Sequence, residues 1–174
     1  IAEPAPAEDK DSIVVTRETA DRWNLETIGD LAPYSGEITL GAPPEFQERA
    51  YGLPGLAENY GVNIAPGNFV PLSDGGGPAT VRALTSGEVT AADIFSTSAA
   101  IAENDLVVLD DPEFNFAAQN VVPVINAGKT SDELTTVLDA ISEKLTTEEL
   151  LELNQSVSGE AKTEPAAAAE QWVA

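Results

Sequence analysis

Short apolar runs alternate along the chain with polar stretches rich in glycine and proline, and the spacing inside each run indicates the element it forms. "SIVVT" (12–16) is a β-branched block suited to a buried strand. Thr16 closes it and is placed to cap a helix over "RETADRWNL", with Glu18 and Thr19 in the first turn. "TIGDLAPY" (27–34) reads as a short helix stopped before a second strand at "EITL" (37–40). "GLAENYGVN" (55–63) offers a helical turn and "NFVPL" (68–72) a third strand. In "SDGGGPATVRALTSGEV" (73–89) three glycines lead to Pro78, which suits a first helical turn. Val81, Leu84 and Ala79 then face inward, and Gly87 ends the helix. "AADIFST" (91–97), "DLVVLDD" (105–111) and "QNVVPVI" (119–125) read as further strands, with a short helix over "SAAIAEN" between the first two. Pro123 marks the last of these strands as an edge or an interruption.

Beyond residue 125 the texture changes. "TSDELTTVLDAISEKL" and "TTEELLELNQSV" each begin with a hydroxyl cap followed by acids, with apolar positions at helical spacing. "EPAAAAEQWVA" closes the chain as a last helix. Strands alternating with helices, then a helical tail, predict a layered α/β fold with a mostly parallel sheet. The opening "IAEPAPAEDKD" (1–11) reads as an extended segment leading into it, and no internal repeat is evident.

Composition narrows the chemistry. The 174 residues are 43% hydrophobic, enough for a substantial core, and the net charge is −22. Such a field repels phosphate backbones and anionic lipid, and no cluster of lysine and arginine offsets it, so nucleic-acid and membrane-surface binding are disfavoured. Surface acids with little lysine also keep a protein dissolved in salt or outside the cell. Histidine and cysteine are both absent. That removes a thiol nucleophile, a Ser-His-Asp triad and a soft metal site, and a hydrolase or transferase lacks its nucleophile–base pair. No cofactor and no metal are implied. No apolar run approaches the roughly 20 residues that span a bilayer. The glycine-rich loop before Pro78 has two readings, an anion cradle at a helix N-terminus or a tight strand-to-helix turn; it has neither GxGxxG order nor a P-loop lysine.

In order along the chain, "GAPPEFQERAYGLPGL", "ATVRALTSGEVTAADIFSTSAAI", "DLVVLDDP", "NVVPVI" and "TTEELLELNQSV" resemble the substrate-binding proteins of glycine betaine/choline/carnitine ABC importers, the osmoprotectant branch of the type 2 periplasmic-binding fold. The resemblance runs from about residue 12 to the C-terminus. It implies a three-layer αβα lobe with a C-terminal helical tail, in which 1–11 is an extended hinge segment and 12–105 the second ligand-binding lobe. Residues 106–174 would then be the return strand and the helices that pack on a first lobe. The chain would begin near the hinge crossing without that first lobe, as a truncated or processed form, and self-association of such a piece is expected. It further implies an extracytoplasmic solute-binding component, lipid-anchored in full-length form, working with an ABC permease and performing no catalysis.

For such a solute, selectivity rests on desolvation and aromatic faces, because a quaternary ammonium donates no hydrogen bond; each cation–π contact contributes about 0.5–2 kcal/mol. A guanidinium fork suits the carboxylate end. By resemblance, Arg49 in "EFQER" falls on the carboxylate-binding arginine, Phe95 in "DIFST" on the aromatic that meets the ammonium, and Thr97 closes the "FST" turn beside the cleft. Phe46 either touches ligand or anchors its loop in the core. Two positions depart from the family pattern: Asp11 stands where relatives have an aromatic, and Gln119, followed by Asn120, where they have a tyrosine. Asp11 could offset a cation, and Gln119 and Asn120 could hydrogen-bond a polar ligand.

Local alternatives stand beside these assignments. Arg49 could simply pair with Glu45 or Glu48. Trp23 and Trp172 read as packing residues, Tyr51 and Tyr60 are unassigned, and Asp110–Asp111 follow a strand where acids collect without a partner base. The rival functions are a ligand-degenerate interaction or scaffold domain of the same fold, and a binder of a different polar solute.

Overall fold

The computed structural model describes residues 1–159 and 161–174, which divide into two compact units. One comprises Asp11–Ser96 and Ala100–Ala117 and carries the sheet; the other comprises Ile1–Lys10, Thr97–Ala99 and Ala118–Ala174 and carries the long helices.

In the sheet unit, β1 (Ile13–Thr16), β2 (Leu40–Ala42), β3 (Phe69–Pro71), β4 (Ala91–Asp93) and β5 (Leu106–Val108) form one sheet in the order β3-β2-β4-β1-β5. The β2 strand runs parallel to β3 and β4, whereas β1 is antiparallel to both β4 and β5. The sheet is therefore mixed, and the expectation of a mostly parallel sheet holds only outside β1, which lies centrally and opposes its neighbours. Side-chain alternation sorts the strand residues onto two faces. Ile13, Val15, Leu40 and Ala91 join one cluster with Ile28, Leu31, Phe46, Leu56 and Phe116. Val14, Ala92 and Leu106 join the other with Ala83, Leu84 and Val89. Covered on both faces, the sheet makes the three-layer αβα arrangement.

Local signals place most helices. The Thr19 amide donates to Thr16 Oγ1 at 3.2 Å, capping α1 (Arg17–Trp23). The segment over Ile28–Tyr34 is a 3-10 turn rather than an α-helix, with Pro33 inside it. Then come α2 (Leu53–Tyr60), α3 (Pro78–Thr85) and the short α4 (Ala99–Glu103). In α3 the inward residues are Thr80, Ala83 and Leu84. Ala79 instead faces out, because the Thr80 hydroxyl is drawn inward to Asp74 Oδ1 at 2.6 Å.

The sheet unit itself extends past residue 105 to Ala117 and omits Thr97–Ala99; β5 completes the sheet beside β1 and Phe116 is buried in the aromatic cluster. Asp11, expected in the hinge segment, belongs to the sheet unit.

In the helical unit, α5 (Asp132–Lys144), α6 (Thr147–Ser158) and α7 (Pro165–Val173) follow a 3-10 turn at Ala127–Lys129. Ser131 and Thr146 cap α5 and α6 by accepting from the Leu134 and Glu149 amides, each at 3.2 Å. The stretch 119–125 is not a ladder strand. Its backbone exchanges bonds with the N-terminal segment, Ala5 N to Val121 O at 2.9 Å and Val121 N to Ala7 O at 3.1 Å, around one bridge between Glu8 and Asn120. Trp172 Nε1 donates to Glu149 Oε2 at 2.5 Å, and Val137, Ala140, Ile141 and Val173 line the groove beside it, a space of about 410 Å³. Leu134, Val137 and Ile141 keep a third to a half of their surface exposed along α5. Among the described residues no helix is long and apolar enough to cross a membrane.

Candidate functional site

The turn after β2 sets the first part of the site. Pro43 and Pro44 bend the chain into a 3-10 turn over Pro44–Gln47. Phe46 is driven inward, 2% exposed, with its ring 6.1 Å from Tyr51 and 6.3 Å from Phe116. It anchors the loop and cannot present its ring to a solute, so Phe46 leaves the binding set. The chain then doubles back so tightly that a Cβ on Gly52 would lie 1.8 Å from the Phe46 carbonyl oxygen, and only glycine fits.

Between those two fixed points stands Arg49. Its amide donates to Glu45 O at 3.1 Å and its carbonyl accepts from Gly52 N at 2.9 Å. The guanidinium is half exposed. Nη1 donates to the Tyr51 hydroxyl, Cζ lies 5.6 Å from the Tyr51 ring centre, and Nη2 reaches Glu45 Oε1 at 3.4 Å. The Tyr51 hydrogen bond, with the charge interactions of Tyr51, Glu45 and Asp11, raises its pKa further above an already basic value. The Glu45 pairing anticipated from sequence is therefore present, but long and solvated, and it leaves the fork available to a stronger acceptor.

The second part of the site comes from the antiparallel β1–β4 pair. Ile13 is in register with Asp93, so Asp11, two residues earlier, sits diagonally across from Asp93. The two strands are tied by Ser12 Oγ to Ile94 O at 2.5 Å and Ile94 N to Ser12 O at 3.1 Å. Asp11 and Asp93 are 9% and 5% exposed and share a hydrogen bond. Burial first, then the Asp11 charge and that bond, push the Asp93 carboxyl up to about 7, against the Ser12 amide and the Arg49 charge. One oxygen, Asp93 Oδ1, is buried without a hydrogen-bond partner. Sequence reading missed Asp93; the signal was an acid ending an otherwise apolar strand in "TAADIF", a costly position for a carboxylate. Phe95, two residues on, is 38% exposed. The sheet unit thus brings together Arg49, Tyr51, Asp11 and Asp93, with Phe95 two residues past the end of β4.

The glycine loop does not form an anion cradle. Asp74 occupies the N-terminus of α3 itself, accepting from the Ala79 amide at 2.6 Å, the Thr80 amide at 3.3 Å and the Thr80 hydroxyl at 2.6 Å. Burial opposes its charge, yet these bonds outweigh it and hold the carboxyl below its ordinary value. The tight-turn reading is the correct one.

Of the remaining candidates, Thr97, Gln119 and Asn120 belong to the helical unit, and Trp23 and Tyr60 to the sheet unit. Thr97 is 1% exposed; its hydroxyl donates to Asp9 Oδ1 at 2.7 Å and accepts from Asn154 Nδ2 at 2.9 Å. Its polar capacity is spent on the fold, which removes it from the binding set. Asn120 directs its amide to the Ala5 carbonyl at 3.0 Å, while Gln119 is exposed. Trp23 stacks on Tyr34 with ring centres 4.4 Å apart, and Tyr60 donates to Asp111, both structural. Burial first, then the Asp111 bond, push Tyr60 up to about 12. Among the described residues no group of three or more metal-ligating side chains converges.

A sequence model described as the substrate-binding domain of ABC-type glycine betaine transport systems matches residues 1–174. The glycine betaine-binding protein YehZ of Escherichia coli is 29% identical over 165 residues, covering 90% of this chain and 54% of its own length. The carnitine transport binding protein OpuCC of Listeria monocytogenes is 25% identical over 166 residues, covering 92% of this chain and 51% of its own. A solved glycine betaine/carnitine/choline ABC transporter structure superposes with a TM-score of 0.78 at 28% identity, over 99% of this chain and 62% of that one. The chain spans about half the length of the curated relatives it matches.

Proposed function

This chain belongs to the family of substrate-binding domains of ABC-type glycine betaine transport systems, and on that premise we propose that it supplies the Arg49-bearing half of a site for a small quaternary-ammonium osmoprotectant of the glycine betaine, choline and carnitine class, with the zwitterionic members making fullest use of it. It acts as the extracytoplasmic solute-binding component of an importer, delivering the solute to an ABC permease and performing no catalysis. Lipid anchoring of the full-length protein fits that role. The observation that carries the reading is the pairing, in one unit, of a half-exposed guanidinium with a buried carboxyl pair. A zwitterion has complementary ends, a carboxylate for the fork and a cation for the acids.

Arg49 is pre-positioned: the Phe46 anchor and Gly52 fix the backbone, and the Tyr51 hydroxyl orients the fork. A solute carboxylate replaces the weak Glu45 contact. Phe95 offers an exposed ring to the cationic end. The exposed Leu134, Val137 and Ile141 row on α5 supports concentration-dependent self-association of this chain by itself.

Calorimetric titration of glycine betaine, carnitine and choline into wild type and Arg49→Ala tests the assignment. The two carboxylate ligands should weaken about ten-fold or more in the variant while choline, which has no carboxylate, changes little. Equal affinities for all three in both proteins would remove Arg49 from the site.

A further inference from the structure

Resting on Arg49 as the carboxylate anchor, we propose that Asp11 and Asp93 form the cation-end subsite of the same solute site, and that it takes a nitrogen still carrying an N–H bond in preference to a fully methylated one. Three features support this.

First, Asp93 Oδ1 is an acceptor without a donor, on a side chain 95% buried given its 5% exposure. Buried acceptors in folded proteins are met by a donor from protein, water or ligand. The neighbouring elements supply none. The glycine loop approaches this end of β4 through backbone alone: Gly76 has φ +76, and a Cβ there would lie 2.9 Å from Ile94 Cα. The other carboxylate on that loop, Asp74, is committed to Thr80 and the start of α3. A quaternary ammonium also has no hydrogen to give, so it would leave Oδ1 unmet. A secondary or tertiary ammonium would satisfy it with a charge-assisted bond.

Second, aromatic surface at this place is sparse. Tyr51 is engaged by Arg49, and Phe46 and Phe116 are buried, leaving Phe95 as the exposed ring of the group. One ring is weak compensation for desolvating a methylated cation, whereas a carboxyl pair with a free acceptor suits an N–H cation.

Third, the carboxyl pair can adjust its charge to the ligand. The charged groups facing Asp93 are Asp11, two residues before β1, and Arg49 from the turn after β2. With the Asp93 carboxyl pushed up to about 7, the empty pair retains one proton through mildly acidic pH. An arriving ammonium keeps its N–H, which becomes the hydrogen-bond donor to Asp93, and the proton shared by the two acids leaves to solvent. No bond to carbon changes. Binding therefore releases up to one proton below neutrality, and affinity climbs with pH until the empty pair is itself ionised.

N-methylated glycines isolate the effect, because sarcosine, N,N-dimethylglycine and glycine betaine share a carboxylate and differ in their remaining N–H bonds. Titrations followed by amide NMR on the intact chain near pH 6 and near pH 8 should show the two N–H ligands binding about ten-fold tighter than glycine betaine, and tightening as pH rises. Asp93→Asn should bring the three ligands to within about two-fold of one another and flatten the pH dependence; Asp11→Asn, the second variant, should flatten it as well. Arg49→Ala should weaken all three together. Glycine betaine binding as tightly as the others, with Arg49→Ala still weakening it, would overturn the inference and leave the carboxylate anchor intact. An N–H preference that survives in folded Asp93→Asn would also overturn it. No spectral change with any of the three would overturn the anchor and the inference alike.

Discussion

Replacing Asp93 with asparagine in the ligand-free chain should stabilise it at alkaline pH and leave it nearly unchanged in acid. The side chain is 5% exposed, beside Asp11, and its carboxyl is pushed from 3.8 up to about 7. Between those values the folded state holds more protons than the unfolded chain, so the sign follows directly. Stability is greatest below the unfolded value and falls as pH rises through the window, levelling off above about 7. At about 1.4 kcal/mol per pH unit, the loss from ionising this group is on the order of 4 kcal/mol as a ceiling. That net shift already includes Arg49 and the Ser12 amide, which favour the charged form. An asparagine has nearly the same shape, presents an N–H₂ to Asp11 and has no charge to desolvate. Urea unfolding followed by circular dichroism, at about pH 5 and about pH 8, measures the difference. Other carboxylates also lose stability with pH through their mutual repulsion, given the net charge of −22, and comparison with the variant subtracts them. Parallel loss of stability in wild type and Asp93→Asn across that range would refute the assignment of a buried, proton-holding acid.

Other outcomes follow from the same packing. Phe46→Ala should cost about 3–5 kcal/mol, because it opens a cavity between Tyr51 and Phe116; urea unfolding within error of wild type would show that the loop has no anchor there. Thr97→Val should cost about 1–3 kcal/mol by stranding Asp9 and Asn154, and a neutral result in thermal unfolding would assign the hydroxyl elsewhere. Asp74→Ala removes the cap of α3, about 1–2 kcal/mol at neutral pH. Because that carboxyl lies below 3.8 when folded, its contribution holds above 3.8 and fades as pH falls through the lower folded value; wild type and variant should converge in strong acid. Light scattering on Val137→Lys/Ile141→Glu should show loss of concentration-dependent association, and an unchanged mass-versus-concentration curve would place any contact away from α5.

Much of the architecture was legible along the chain because it depends on near neighbours. A hydroxyl caps the amide three residues on, so Thr16, Ser131 and Thr146 announce α1, α5 and α6 without knowledge of anything distant. The proline start of α3, and Gly87 with φ +77 just past its end, are equally local. The β-branched run before Thr16 likewise reads as a buried strand wherever it is placed.

What no local pattern carries is direction, register and the use of each polar atom. The β1 strand runs against its neighbours because of where the chain enters the sheet, which its own residues do not encode. Phe46 and Arg49 lie three residues apart in one turn, yet one is buried and the other half exposed, a division set by Phe116 and Gly52 beyond the turn itself. Thr97 sits in a motif that suggests a binding role, but Asp9 and Asn154, from distant parts of the chain, consume its hydroxyl. Asp11 and Asp93 meet only through an antiparallel register. Hydrogen-bond satisfaction and desolvation depend on which atoms end up nearby in space, so they are decided by the packed structure, whereas caps, turns and periodicities depend on neighbours along the chain and can be read from sequence.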